Sequence, residues 1–257
     1  MLQNRTVLIT GVASGIGEET ARQARAQGAR VLGVDLHAPR VAVDRFFQAD
    51  LGERASIDAL AAQLPEGIDA LANIAGLPPT RPAAQVLRVN LVGLKHLTLA
   101  VLPKLAPGAS IVNLASLAGA GWPEAVPAIR AAESLDFDGV QAFCVRHGIE
   151  GARSYFFSKE ALVAWTIRNR WTWRARGIRM NAISPGPVDT PILPDFVQTL
   201  GARAEEDMKT MDLPGRPSDI APVAVFLMSE GAGWLRGANL PVDGGMHSHL
   251  LAQQHGL

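Results

Sequence analysis

Thr6-Val7-Leu8-Ile9-Thr10 is a short β-branched run that leads directly into Gly11-Val12-Ala13-Ser14-Gly15-Ile16-Gly17. Glu18 to Gln27 then carries a helical pattern, which Gly28 closes. A strand, a glycine turn and a helix in immediate succession leave the chain few folds. The helix must pack back onto a sheet, and the next strand must run parallel to the first. Glycines at 11, 15 and 17 let the backbone bend tightly and approach a ligand closely. The free N–H groups and positive dipole end of the helix that follows favour a pyrophosphate.

The alternation continues along the chain. Arg30 to Asp35 reads as a second strand ending in a carboxylate. An acid at that place bonds the hydroxyls of an adenosine ribose and repels a 2′-phosphate, so Asp35 selects NAD over NADP, while Arg40 leaves some room for NADP. Phe46 to Leu51 reads as the third strand, closing on Asp50, and a helix covers about 54–64. Ile68 to Gly76 reads as the fourth strand, and a long helix runs from Leu87 to about Lys104. Ser110 to Ser116, Ile178 to Ser184 and Gly237 to Gly245 read as strands five to seven, with a helix over Ile220 to Met228. The order predicts one α/β domain over residues 1–257, a Rossmann-type doubly wound parallel sheet of seven strands with helices on both faces.

Tyr155 and Lys159 lie four apart in a helical segment, so their polar ends reach the same point beside the helix. A nearby ammonium favours the phenolate and so turns a phenol into a usable acid/base. Tyr155 is the only tyrosine in the chain. Ser116, at the carboxyl end of its strand, stands at the rim where open α/β sheets bind ligands.

Lys+Arg and Asp+Glu balance at 24 each, which gives no general attraction to nucleic acid or to an anionic membrane. The lone Cys144 has no disulfide partner, no signal-peptide pattern opens the chain, and no apolar run reads as a membrane span; a reduced cytoplasmic location is expected. His247, His249 and His255 have no carboxylate or cysteine beside them, so no metal site is expected. Arg168, Arg170, Arg174 and Arg176, interleaved with Trp165, Trp171 and Trp173, continue the Tyr155 helix. They read as a subunit interface rather than a base-stacking surface. The segment 191–216, with Phe196, Val197, Leu200, Met208, Met211 and Leu213, reads as an apolar cover over a small-molecule substrate.

Thr10-Gly-x-x-x-Ser-Gly-x-Gly17, Asp50-Leu51, Asn73-x-Ala-Gly76, Asn90, Ser116, Tyr155-x-x-x-Lys159 and Pro185-Gly186 occur in this order and together resemble the short-chain dehydrogenase/reductases. The resemblance covers about residues 5 to 246. It implies reversible hydride transfer between NAD, less favourably NADP, and an alcohol or carbonyl carbon. Tyr155 would be the acid/base, Ser116 would orient the substrate oxygen, and Lys159 would bind the nicotinamide ribose. Asn90 would hold a relay water through its carbonyl. Gly11, Ser14, Gly15, Ile16 and Gly17 would carry the phosphates. Asp35, Asp50, Leu51, Asn73, Ala75 and Gly76 would line the adenosine and ribose side, and Pro185, Gly186, Val188 and Thr190 the nicotinamide side. A homo-oligomer, dimer or tetramer, is also implied.

Two departures from the family pattern stand out. The stretch between Gly76 and Asn90 is short, and 39 positions separate Ser116 from Tyr155, leaving an inserted segment at about 121–153. Its Ile129, Leu135, Phe137, Val140, Phe143 and Val145 alternate with charged residues and predict an ordered, amphipathic helical segment. It either lines the pocket or covers the surface with which most relatives build a tetramer. This pairing of departures resembles bacterial hydroxysteroid dehydrogenase/carbonyl reductases and coniferyl-alcohol dehydrogenases, with Trp165 and residues 180–193 nearer the latter. A non-catalytic dinucleotide-binding protein is the alternative of a different class.

Overall fold

The computed structural model describes residues 1–201 and 214–257. Seven strands, β1 Thr6–Thr10, β2 Arg30–Asp35, β3 Arg45–Gln48, β4 Ile68–Asn73, β5 Leu105–Leu114, β6 Arg179–Pro185 and β7 Asn239–Val242, form one sheet in the order β3-β2-β1-β4-β5-β6-β7. Every pairing is parallel. The chain winds outward from β1 to β3 and then returns to lay β4 on the other side of β1. That reversal opens a crevice at the carboxyl ends of β1 and β4.

Alternation along the strands decides which side each helix covers. Val7 and Ile9 of β1 face the layer formed by α1 (Gly15–Ala26) and α9 (Pro217–Met228), through Ala21, Ala24, Ala224 and Val225. Leu8 faces the opposite layer, built on α2 (Arg54–Gln63), α4 (Leu94–Val101) and α7 (Gly151–Arg168), through Ile57, Leu97 and Phe157. Both faces of the sheet are therefore apolar, as all-parallel strands require.

The long helix begins at Ala83 rather than Leu87. A short α3 (Ala83–Leu87) passes into a π turn at Arg88–Gly93 before α4. The segment Ala83–Lys104 is 22 residues long and is apolar enough by length and composition to cross a membrane, contrary to the expectation that no such run exists. Its apolar side, with Leu87, Leu91, Leu97 and Val101, is buried in the core, which explains the composition.

The inserted segment is ordered and helical, as α5 (Val126–Ala131) and α6 (Val140–His147). Phe137, Val140 and Phe143 are buried, whereas Val145 is exposed, so the apolar pattern is right at all but its last position. His96 meets the Phe137 ring edge-on, and Lys95 Nζ donates to the carbonyls of Ala132 and Glu133, fixing the segment to α4. Where it enters α7, Arg153 makes two 2.7 Å bonds to the buried Glu160.

Several boundaries move. Helix α1 already contains Gly15 and Gly17 in its first turn. Asp50 and Leu51 lie past β3, Ala75 and Gly76 past β4, and Ser116 past β5, so these five stand beyond the strands rather than in them. Helix α7 stops at Arg168. Trp165 and Trp173 pack against the chain's own core, and only Trp171 of the three is exposed. The carboxyl tail forms a helix, α10 (Met246–His255). In the expected cover, α8 (Leu193–Leu200) is described, while Met208, Met211 and Leu213 lie outside the described residues.

Candidate active site

A cavity of about 1180 Å³ occupies the crevice at the strand ends. Its phosphate-sized corner is the turn between β1 and α1. Helix α1 starts so close to β1 that a Cβ on Gly17 would lie 2.0 Å from the Gly11 carbonyl oxygen, and Gly11 itself sits at φ 79°. The first intrahelical N–H belongs to Glu18, which donates to Ser14 O, so the amides of Gly15, Ile16 and Gly17 make no helical bond. Three amide donors over a helix start suit an anion. Thr10 Oγ1 accepts from Ile74 N at 2.9 Å and Ala75 N at 3.0 Å, tying the two strands that flank the crevice. Its position in the motif was visible in the sequence, but this role was not.

Asp35 lines the cavity and already accepts from Ala13 N through Oδ2 and His37 N through Oδ1, both at 3.0 Å. Each carboxylate oxygen retains a second acceptor position toward a ribose. Asp50 accepts from Gly52 N at 2.7 Å, and it lines the same wall with Leu51. Pro185, Gly186, Val188 and Thr190 line the far wall, where Gly215 N donates to Pro187 O and so braces the loop.

Tyr155 and Lys159 are both buried on α7. Lys159 Nζ donates to the Leu114 carbonyl at 2.7 Å and stands 5.4 Å from the Tyr155 ring centroid. No sequence signal marks Leu114, because its contribution is backbone. Ser116 caps a 3-10 turn, its Oγ accepting from Ala118 N. Within that turn a Cβ on Gly119 would stand 2.8 Å from Lys159 O, so only glycine lets the turn sit this close to α7.

The electrostatics differ from the expectation that Lys159 pulls the phenol down. Burial pushes Tyr155 up to about 12, opposed by the nearby Ser116 hydroxyl. Burial also pushes Lys159 down to about 8. Both shifts have the same origin, since a site that strips water from two groups disfavours the charged form of each.

Two predicted residues stand away from the cavity wall. Asn73 is buried beneath it, where Nδ2 donates to Thr98 Oγ1 at 3.0 Å and Asn113 Oδ1 at 2.9 Å. It joins β4 to β5 and α4. Asn90 is buried in the π turn, accepting from Leu77 N at 2.7 Å and donating to Leu77 O at 3.0 Å. Its amide thereby fixes the loop after Gly76.

The substrate end is apolar. Phe156, Leu193, Phe196, Val197, Met246 and Leu250 line it, the last two from α10, whose helical spacing in the tail was legible but not read. The Phe196 ring meets Tyr155 edge-on, with centroids 4.7 Å apart. No residue of the inserted segment 121–153 lines the cavity.

A parallel sheet with a phosphate-type turn at its switch point and Ser116, Tyr155 and Lys159 above the strand ends defines a dinucleotide-fold oxidoreductase. The chain belongs to the short-chain dehydrogenase/reductase family and is an oxidoreductase. The family pattern described as short chain dehydrogenase matches residues 5–128, and one described as enoyl-(acyl carrier protein) reductase matches residues 139–247. The chain is 43% identical over 250 residues to a coniferyl-alcohol dehydrogenase of Pseudomonas sp. strain HR199, covering 96% of this chain and 98% of that protein. It is 31% identical to a 3-alpha-hydroxysteroid dehydrogenase/carbonyl reductase of Comamonas testosteroni, with 96% and 98% covered. Among solved structures, the 3-alpha-hydroxysteroid dehydrogenase of Pseudomonas sp. B-0831 complexed with NADH superposes with a TM-score of 0.83. It is 26% identical, with 96% of this chain and 99% of that chain covered.

Proposed function

We propose that the chain is an NAD-dependent dehydrogenase that reversibly oxidises a bulky apolar or aromatic alcohol, with a coniferyl-type alcohol as its first substrate. The observation that carries the reading is Tyr155, flanked by Ser116 and Lys159, at the base of an apolar cavity edged by the Phe196 ring. Identity to a coniferyl-alcohol dehydrogenase supports the substrate class.

The residues present fit NAD. The first-turn amides of α1 would hold its pyrophosphate, Asp35 the adenosine ribose, Lys159 the nicotinamide ribose, and the loop from Pro185 to Thr190 the ring. When bound, NAD supplies the hydride acceptor and a positive ring whose charge favours the phenolate. Ser116 holds the substrate oxygen by hydrogen bonding. Tyr155 as phenolate takes the hydroxyl proton during oxidation, and as phenol returns it to the carbonyl oxygen during reduction. The buried phenol, held near 12, rests in the acid form that reduction uses. The Asn90 carbonyl, in the π turn, holds the water through which the proton reaches solvent.

A second reading, oxidation of a 3-hydroxysteroid, is favoured by the apolar substrate end and by the two hydroxysteroid dehydrogenases among the relatives. A non-catalytic binder has no use for a buried tyrosine and lysine, each held at a cost in solvation. The location is cytoplasmic and the enzyme a homo-oligomer, a dimer if α5 and α6 cover the face that most relatives use to form a tetramer and otherwise a tetramer. A tetramer by light scattering, with 121–153 outside every contact, would exclude the dimer.

The test is turnover of cinnamyl alcohols, hydroxysteroids and small secondary alcohols with NAD and NADP, followed by reduced-nicotinamide absorbance, beside Tyr155→Phe. Cinnamyl alcohols with NAD should turn over best, and Tyr155→Phe should lose about 10²- to 10⁴-fold. Binding of NAD with no turnover of any alcohol or carbonyl would defeat the reading.

A further inference from the structure

Helix α8 lines the cavity with Leu193, Asp195, Phe196, Val197 and Leu200, and Asp195 and Phe196 are adjacent in it. Thr80, on the loop between β4 and α3, donates from Oγ1 to Asp195 Oδ1 at 2.5 Å. Among the described residues this is the only side-chain hydrogen bond from α8 to another element, since that of Thr199 runs to Asp195 O within the helix. The bond joins two walls of the cavity that are 115 residues apart in sequence. Successive helix residues project about 100° apart, so holding Asp195 sets the rotation of α8 and, with it, the direction of Phe196. That direction is fixed at Tyr155, whose ring meets the Phe196 ring at 76°.

We propose that Thr80 and Asp195 are positioning residues that set substrate thickness, holding Phe196 edge-on above Tyr155 so that flat conjugated alcohols are favoured over thick polycyclic ones. The inference rests on the dehydrogenase reading and specifies its substrate class. An aryl-allylic alcohol is one ring thick and lies beside the Phe196 edge. A saturated polycyclic alcohol must displace it. Asp195 also stands in the first turn of α8, where any carboxylate is favoured by the helix dipole. Substitution of Thr80 separates the two roles, because it leaves that charge in place.

The experiment compares the full chain with Thr80→Val, which keeps the shape and removes the donor, and Thr80→Ser, which restores a hydroxyl. Hydrogen exchange of the α8 amides reads the bond without turnover. Thr80→Val should speed exchange in α8 about threefold, the scale set by losing one solvent-exposed hydrogen bond, and leave α1 unaltered. The kcat/KM ratio of cinnamyl alcohol to a 3-hydroxysteroid should fall about threefold in Thr80→Val, through KM rather than kcat, and recover in Thr80→Ser. Unchanged exchange in α8 overturns the proposal, as does altered exchange with an unchanged ratio. Absence of all alcohol turnover in the unsubstituted chain refutes the dehydrogenase reading instead, while the exchange measurement still decides whether the bond holds α8.

Discussion

Gly17→Ala tests the phosphate corner most directly. The added Cβ would stand 2.0 Å from Gly11 O, 2.6 Å from Gly11 C and 3.1 Å from Thr10 O. All three are backbone atoms, so no rotamer change relieves the contact. Ordinary C···O approach is about 3.3–3.6 Å, so the start of α1 must lift from β1 by more than about 1 Å. Overpacking of this kind costs up to about 3 kcal/mol when the neighbours cannot turn aside. For a chain of this size that is a drop in Tm of about 6–12 °C. The lift also spreads the amides of Gly15, Ile16 and Gly17, so NAD affinity should fall more than stability alone dictates. Scanning fluorimetry and a fluorescence titration with NAD measure the two effects. A variant with unchanged Tm and NAD affinity within about twofold of the parent would refute the reasoning, since about 1.4 kcal/mol already corresponds to tenfold.

Three further outcomes follow from the same structure. Asp35→Ala should weaken NAD and narrow its advantage over NADP, and titration of both dinucleotides checks this; an unchanged preference removes Asp35 from cofactor choice. Asn73→Leu strands Thr98 and Asn113 in the interior and should lower unfolding free energy by about 2–3 kcal/mol in urea, leaving dinucleotide preference unchanged. Lys159 is held at about 8 when folded and returns to its ordinary value when unfolded, so between about pH 8 and pH 10 the unfolded chain binds more protons and stability rises with pH. Tyr155, raised to about 12, reverses the sign above pH 10, where only the unfolded phenol ionises. Urea unfolding across this range should show the rise, and Lys159→Met should lose it.

The sheet was legible because its inner strands β1, β2, β4, β5 and β6 carry short apolar runs, a local pattern that burial on both faces enforces. The residues past the strand ends, such as Asp50, Gly76 and Ser116, were legible through the motifs that resemble the family, and they line the cavity. Side-chain direction was not. Asn73 sits at the end of β4, where period-two alternation decides between ligand and core, and the choice falls to Thr98 and Asn113, which no local pattern announces. The balance at Tyr155 was hidden for a related reason. Sequence places a lysine one helical turn away, but depth below the surface decides which effect prevails. Contacts such as Thr80 with Asp195 join loops over 115 residues and arise only from topology.

The π turn at Arg88–Gly93 accommodates one residue more than an α-helix holds over the same rise. The segment Ala83–Lys104 therefore runs on two angular phases, one on each side of Asn90. Before the turn, one phase buries Val86 and Leu87; within it Asn90 grips the loop through Leu77; after it, the other phase buries Leu97 and Val101. Removing one residue there would merge the phases and swing one half about 100°.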